Sequence, residues 1–225
     1  MTTVYDSPGD LPSVLPVFPL RGAILLPRAS LTLNVFEPRY LALVDHALAN
    51  GRLIGVVQPA GDTGSAESPR GKSFAVRSVG CVGRISAFNE TDDGPLVISL
   101  TGVSRFQVGE EISSDAPFRL FAADFSAYAD DFIPDLGEED VDRVRLLATL
   151  RRYLEANGLN ADWERINEAA NEQLVNTLSI LSPYGPEEKQ ALLEAESLRA
   201  RAEALVALAE MELASRDDNS GTSLQ

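Results

Sequence analysis

Short apolar runs separated by turn-forming residues fill residues 1–128, a pattern typical of β structure. The clearest run is Ser30–Phe36. There, Leu31, Leu33 and Val35 alternate with polar side chains, and a period of two predicts a strand with one buried face. The other apolar runs that predict strands cover residues 14–20, 24–26, 52–59, 75–90, 96–112 and 118–128.

Prolines interrupt the apolar stretch 15–39 at Pro16, Pro19, Pro27 and Pro38. Proline cannot donate a hydrogen bond to a sheet ladder, so it sits at strand starts, edges and bends. The stretch is therefore predicted to form short strands, as in a small barrel or a strongly bent sheet.

The connections between strands carry glycine and polar residues. Residues 60–73 have the composition of a flexible loop, and Thr91–Pro95 has the Asp-Gly signal of a hairpin turn. Glycines inside the apolar runs predict bulges or bends. They are Gly80, Gly83, Gly102 and Gly109.

One short helix is predicted within the β region. Pro38 suits its first turn and Gly51 suits its end. His46 is expected to be exposed, off the apolar face. That face is predicted to be Tyr40, Leu41, Val44 and Leu48.

Helical periodicity replaces the β pattern near Asp135. A first helix is expected to end at Gly158, a second region over 161–182 to break near Ala169, and a third to run without interruption from Pro186. The predicted buried positions of the first are Val141, Val144, Leu147, Leu150 and Leu154. Those of the third are Leu192, Leu193, Leu198, Ala202, Leu205 and Leu208.

These patterns predict an α+β protein with two parts. The expected organisation is a flexible leader over 1–13, a β domain over 14–134, a helical bundle over 135–214 and a disordered tail over 215–225. Packing within its own bundle is the favoured role of the last helix, and pairing with another chain is the alternative.

Net charge narrows the classes of partner. The chain carries −15, and most of the excess lies after residue 134. Such a field repels phosphate backbones and anionic membranes, so neither nucleic acid nor membrane is an expected partner. A signal peptide and an apolar run of membrane-spanning length are both missing, which predicts a soluble cytoplasmic protein.

Motifs for catalysis are weak. His46 and Cys81 are too few for a metal site, and Cys81 is predicted to be a buried structural thiol. Gly71-Lys72-Ser73 ends like a phosphate-binding loop, but Ala66 stands where that loop needs glycine. Lys189 lies in no catalytic motif. We therefore expect no enzyme activity, cofactor, metal or catalytic residue.

Three segments together resemble the N-terminal, substrate-binding domain of the ATP-dependent Lon protease, over about residues 14–210. The first has the family's proline-punctuated opening, the second its central hairpin, and the third its acidic helix start. Their matching residues are Leu15, Pro16, Pro19, Leu20, Arg21 and Pro27; then Gly80, Val82, Ile85, Asp93, Gly94, Ile98, Gly102, Arg105 and Phe106; then Glu187–Glu194.

The resemblance implies a PUA-like β-barrel followed by a helical bundle. It also implies a stand-alone, bacterial member that lacks the ATPase and peptidase modules of Lon. The expected function is non-enzymatic binding of unfolded or tagged polypeptides, or of a dedicated protein partner such as a protease, as an accessory to protein quality control or proteolysis. The alternative is a PUA-like protein that binds RNA or a small ligand, and the negative charge disfavours RNA.

The predicted polypeptide-binding surface lies at the proline-punctuated start of the chain. It consists of Phe18, Leu20, Arg21, Pro27, Phe36, Arg39 and Tyr40. The structural alternative is that Phe18, Leu20 and Phe36 belong to the core. For Arg21 and Arg39 it is pairing with nearby acids.

Overall fold

The structure is a computed structural model that describes residues 5–61, 74–90 and 96–221. The predicted turn at Thr91–Pro95, most of the predicted loop 60–73 and the Gly71-Lys72-Ser73 sequence lie outside these ranges. So do the first four residues of the leader and the last four of the tail.

Six strands form where the apolar runs predict them, with one exception. Residues 24–26 are buried but adopt no strand, since they lie between β1 and β2 as an irregular segment. The strands are β1 (Val14–Pro19), β2 (Ser30–Val35), β3 (Leu53–Val57), β4 (Val79–Glu90), β5 (Leu96–Ile112) and β6 (Arg119–Asp124).

The strands form one mixed sheet in the order β2-β5-β4-β3-β1-β6, and β6 pairs in addition with β5. The pairings of β5, β4, β3, β1 and β6 thus close into a ring. The β1–β3 pair is parallel and the others are antiparallel. A parallel pair needs a crossover connection, and here it contains β2 and the first helix. The predicted α+β class is confirmed.

The long strand β5 joins two parts of the sheet because its two halves have different partners. Its first half pairs with β2 through Leu96–Thr101, and its second half pairs with β6 through Gln107–Ile112. Gly102 lies at the change. A Cβ added there would collide with the carbonyl oxygen of Leu26, so glycine is required where these two backbone segments approach closely. Side chains around Phe106 fill the space inside the ring: Leu11, Leu15, Val17, Leu53, Val57, Val82, Phe121 and Phe125.

Helix α1 (Pro38–Ala49) forms as predicted, but its buried face is rotated from the predicted one. The buried residues are Tyr40, Leu43, Val44 and Ala47. They follow the i, i+3, i+4, i+7 spacing of one helix face, whereas Leu41 and Leu48 lie at its margin and are half-buried. His46 is exposed, as predicted.

The later helices are α2 (Arg143–Ala156), α3 (Trp163–Glu168), α4 (Asn171–Leu181), α5 (Pro186–Glu194) and α6 (Leu198–Gly221). The predicted break near Ala169 is confirmed. The face predicted for α2 is wrong at Val144, which is 82% exposed, because the buried stripe contains Leu146, Leu150 and Tyr153 instead.

A single helix from Pro186 was the wrong prediction, because α5 ends at Glu194 and α6 starts at Leu198. The Ala200 backbone N–H donates to Ser197 Oγ at 3.1 Å. Serine before a helix satisfies a donor that has no partner inside the helix, so Ser197 favours a new start. Helix α6 continues to Gly221, into the stretch 215–225 for which the sequence predicts disorder.

The chain divides into two compact units. We call Met1–Pro134 with Tyr184–Leu193 the β unit, and Asp135–Pro183 with Glu194–Gln225 the helical unit. The predicted domains, 14–134 and 135–214, assign 184–193 to the helices, whereas this segment packs with the strands. In the described part of the chain no helix is long and apolar enough to cross a lipid bilayer.

Hydrogen bonds from buried side chains hold α5 in the β unit. Gln58 Nε2 donates to the Pro186 carbonyl at 2.9 Å and to Gln190 Oε1 at 3.0 Å. Gln190 Nε2 donates to the Val79 carbonyl at 3.1 Å. Both glutamines are buried, so these bonds are required to satisfy their amide groups.

Candidate functional site

Two aromatic rings stack where β1 meets the first turn of α1. The rings of Phe18 and Tyr40 are 4.2 Å apart between centroids, and their planes differ by 15°. Pro38 at the helix start places Tyr40 in the first turn, facing β1. Both side chains are buried. The stack therefore belongs to the core of the β unit and supports the surface above it.

A charged pair covers the outer side of this stack. The Arg39 guanidinium carbon lies 4.6 Å from the Tyr40 ring centroid, and Arg39 Nε donates to Glu37 Oε2 at 2.9 Å. Burial raises the pKa of Tyr40, while the Arg39 charge acts in the opposite direction. The Tyr40 side chain consequently keeps its phenolic proton and is neutral at physiological pH.

Two exposed phenylalanines extend the aromatic character to the end of the sheet. Phe36 follows β2 and is 69% exposed, and Phe88 on β4 is 51% exposed. Phe88 lies opposite Ile98, which lies opposite Leu33 on β2. Residues directly opposite each other share one face of a sheet, so Leu33, Ile98 and Phe88 form one apolar row across three strands. Ile98 in the middle of this row is buried, and Phe88 at its end is exposed.

The remaining predicted binding residues lie in other surroundings. Leu20 and Arg21 follow β1, with Leu20 half-buried and Arg21 exposed. Pro27 is buried in the segment before β2. The described contacts thus bring together Phe18, Arg39 and Tyr40. They place Phe36 at a strand end and put Pro27 inside the protein.

Arg119 was missed by the sequence reasoning. Its guanidinium carbon lies 4.8 Å from the ring centroids of both Phe74 and Phe121. Its Nε and Nη2 donate to the two carboxylate oxygens of Glu111, each at 2.7 Å. Pairing of β6 with β1 places Arg119 opposite Val17. In the sequence, the indication of such a cluster is Phe-Arg-Leu-Phe at residues 118–121, and this pattern is equally typical of an ordinary strand.

Cys81, His46 and Lys189 lie in different surroundings within the β unit. Cys81 is fully buried, as predicted, and the exposed His46 has the Phe118 ring as a neighbour, 5.1 Å away between centroids. Among the residues that the structure describes, no three His, Cys, Asp or Glu side chains are grouped to hold a metal ion. Lys189 is buried, which lowers its pKa to about 8.

Comparison with known proteins identifies one family. Residues 14–210 match the model of the ATP-dependent protease La (LON) substrate-binding domain. A Lon protease of Flavobacterium johnsoniae is 26% identical over 86% of this chain, and Lon protease 2 of Myxococcus xanthus is 27% identical over 89%. The chain spans only 23% and 24% of the lengths of these two relatives.

Solved structures give the same answer for the fold. A Lon N-terminal domain protein from Xanthomonas campestris is 25% identical, with a TM-score of 0.60, over 86% of this chain and 97% of that one. The N-terminal domain of a Mycobacterium avium complex Lon protease has a TM-score of 0.59 over 88% of this chain and 98% of that one. Its identity of 16% supports similarity of fold alone.

Proposed function

Because the chain belongs to the family of Lon substrate-binding domains, we propose that it is a non-enzymatic module that binds unfolded or tagged polypeptides. The family match over residues 14–210 carries this proposal. We extend it to an accessory role in proteolysis or protein quality control in the bacterial cytoplasm, with a protease as one class of partner. The bacterial relatives that match are proteases, which supports this extension.

The proposal includes the finer fold expected from the family. The closed ring of strand pairings supports a PUA-like barrel in the β unit. Contacts of α6 with α2 and α4 support a helical bundle in the helical unit, where Arg145 pairs with Glu210 at 3.0 Å. In this interpretation the proposed polypeptide-binding residues all belong to the barrel.

We propose different roles for the predicted surface residues, because some are exposed and others are buried. Phe36 and Arg39 are proposed to contact the polypeptide, together with Leu20 and Arg21 beyond β1. Phe18 and Tyr40 are buried and are proposed to hold Arg39 and the start of α1 in place. Pro27 is buried and is proposed to position β2. The apolar row of Leu33, Ile98 and Phe88 near Phe36 supports this choice, because adjoining exposed apolar side chains mark interaction sites more than isolated ones do.

A fluorescence-anisotropy titration tests the function. The probe is a small disulfide-bonded protein that has been reduced, capped with iodoacetamide to keep its charge unchanged, and labelled. The native form of the same protein and a short RNA are the controls. Saturable binding of the unfolded probe alone is expected, because the −15 charge repels RNA. Equal binding of folded and unfolded probes, or of neither, would refute the proposal.

A pair of variants locates the surface. Phe36→Ser removes an exposed aromatic side chain next to β2, and Val144→Ser removes an exposed apolar side chain in the helical unit. We expect Phe36→Ser to weaken binding about tenfold, as is typical of a central aromatic contact. Val144→Ser should bind like the wild type. The reverse result would move the site away from β2.

A further inference from the structure

Strand β2 has an open edge. It pairs with β5 along its full length, from Ser30 opposite Thr101 to Val35 opposite Leu96. Within the described ranges no other strand pairs with it, whereas each strand of the ring has partners on both sides. An edge strand presents a row of backbone donors and acceptors that a further strand can use.

The alternation of hydrogen-bonded pairs between β2 and β5 determines which backbone groups of β2 point away from β5. The Gly102 N–H donates to the Ala29 carbonyl at 2.9 Å. Hydrogen-bonded pairs recur at every second residue of an antiparallel ladder, so Leu31, Leu33 and Val35 bond to β5. The backbone N–H and C=O groups of Ser30, Thr32 and Asn34 consequently point away from β5. The side chains of these three residues are exposed.

This edge lacks the usual protection against strand addition. Natural edge strands carry charges or proline, or are covered. Ser30–Val35 contains neither a charged residue nor proline, in a chain of net charge −15. The six-residue strand is therefore an uncharged backbone surface within an acidic protein. An uncharged or basic strand meets less repulsion there than an acidic one.

We propose that β2 binds an extended polypeptide segment, which adds to the sheet as a further strand along Ser30, Thr32 and Asn34. The inference rests on the proposed function and names its mode of recognition. Backbone hydrogen bonds supply affinity for unfolded chains of varied sequence, because every unfolded chain has the same backbone. The favoured segment is uncharged or basic and alternates apolar with polar residues, so that its apolar face continues the row of Leu33, Ile98 and Phe88.

A second copy of this chain fits the edge less well. Pairing β2 with β2 would bring together two molecules that each carry −15, whereas the proposed segment is uncharged or basic. Repulsion between like net charges opposes self-association. The polypeptide is therefore the occupant, and dimerisation through β2 is an outcome that would contradict the inference.

Amide hydrogen exchange by NMR distinguishes strand addition from side-chain contact alone. The probe is a short labelled peptide in which valine alternates with threonine, with a lysine at each end. Without peptide, the amides of Leu31, Leu33 and Val35 should exchange slowly and those of Ser30, Thr32 and Asn34 fast. Saturating peptide should slow the second set at least about tenfold, as for amides that gain a ladder hydrogen bond. Slow exchange of that set in concentrated protein without peptide would indicate dimerisation and overturn the inference.

Substitutions at one outward position give the matched test. Thr32→Pro removes the outward N–H of Thr32 but no bond to β5, whereas Thr32→Val keeps the backbone and the branched shape. We expect about tenfold weaker peptide binding for Thr32→Pro and unchanged binding for Thr32→Val. If Thr32→Pro fails to fold, two N-methylated peptides provide the test instead, one methylated at the odd positions and one at the even positions. The peptide whose methyl groups replace the N–H groups that face β2 should bind at least about tenfold more weakly.

Two failures are distinguishable. If the wild type binds neither the peptide nor the unfolded protein probe, the proposed function is overturned and this inference with it. If the wild type binds while Thr32→Pro and both N-methylated peptides bind as well as their controls, only strand addition is overturned. Polypeptide binding then rests on side chains such as Phe36.

Discussion

Arg105 and Asp131 form a buried ion pair that connects β5 to the 3-10 helix Ser126–Phe132, which follows β6. Arg105 Nη2 donates to Asp131 Oδ1 at 2.7 Å, Nε donates to Oδ2 at 2.9 Å, and the Arg105 backbone N–H donates to Oδ2 at 2.8 Å. The residues are 5% and 6% exposed. The guanidinium also lies 4.8 Å from the Tyr128 ring centroid. Asp131 thus satisfies both the charge and the backbone of one residue.

Asp131→Ala should destabilise the protein strongly, because it leaves the Arg105 charge buried without its partner. Removal of one member of a buried pair costs about 3–5 kcal/mol. Glu203→Gln is the control, since it removes one charge of the exposed pair with Arg199, and exposed pairs contribute little to stability. Urea unfolding of both variants measures the difference. Equal midpoints would show that the Arg105–Asp131 pair contributes no more than a surface pair.

Period and proline position were enough to predict most strands and helices. The alternation in 30–36 predicted β2, and Pro38 with Gly51 predicted α1 to within two residues. These signals are local, since each depends on the spacing of side chains along one segment. They were insufficient where two faces of a helix both carry apolar residues, and so Val144 was assigned to the core although it is exposed.

Contacts between distant segments could not be predicted. The cluster around Arg119 depends on β6 pairing with both β1 and β5, and the open edge of β2 depends on the order of the whole sheet. For the site, the sequence directed attention to Phe36, Arg39 and Tyr40, and their role in binding stays a prediction. It could not show that Tyr40 is buried beneath Arg39 while Phe36 is exposed, because burial depends on what packs above each side chain.

Phe18→Ala and Phe36→Ala should distinguish a residue that stabilises the fold from one that contacts the polypeptide. Phe18 is buried against Tyr40, so truncation leaves a cavity and should cost about 3–5 kcal/mol in the free energy of unfolding. Phe36 is mostly exposed, and its truncation should change stability by less than about 0.5 kcal/mol. Thermal and urea unfolding measure both effects. A large loss of stability in Phe36→Ala would place that ring in the core and remove it from the binding surface.

Gly102→Ala should destabilise the β unit. The added Cβ would meet the Leu26 carbonyl oxygen, which is backbone and cannot turn aside as a side chain can. Overpacking of this kind costs about 1–3 kcal/mol or more. Gly9→Ala is the matched control, since its nearest neighbour would be Ser7 Oγ at 3.7 Å, an ordinary contact. If the two variants unfold at the same urea concentration, the close approach at Gly102 is not required for folding.

Lys189 should make stability depend on pH in the alkaline range. The side chain is 2% exposed, and burial lowers its pKa from 10.5 to about 8. Between these two values the unfolded state holds a proton that the folded state has lost, so the free energy of unfolding rises with pH. Below about pH 8 the buried Lys189 side chain is charged in the folded protein, and this charge lowers the free energy of unfolding.

Lys189→Met isolates this effect, because methionine has a similar length and no charge. At pH 7 the variant should be more stable than the wild type, and the difference should shrink by up to about 3 kcal/mol between pH 8 and 10.5. Lys189 is not in the proposed surface, so polypeptide binding at pH 7 should be unchanged. A stability difference that stays constant from pH 7 to 10.5 would show that Lys189 does not lose its proton in the folded protein over this range.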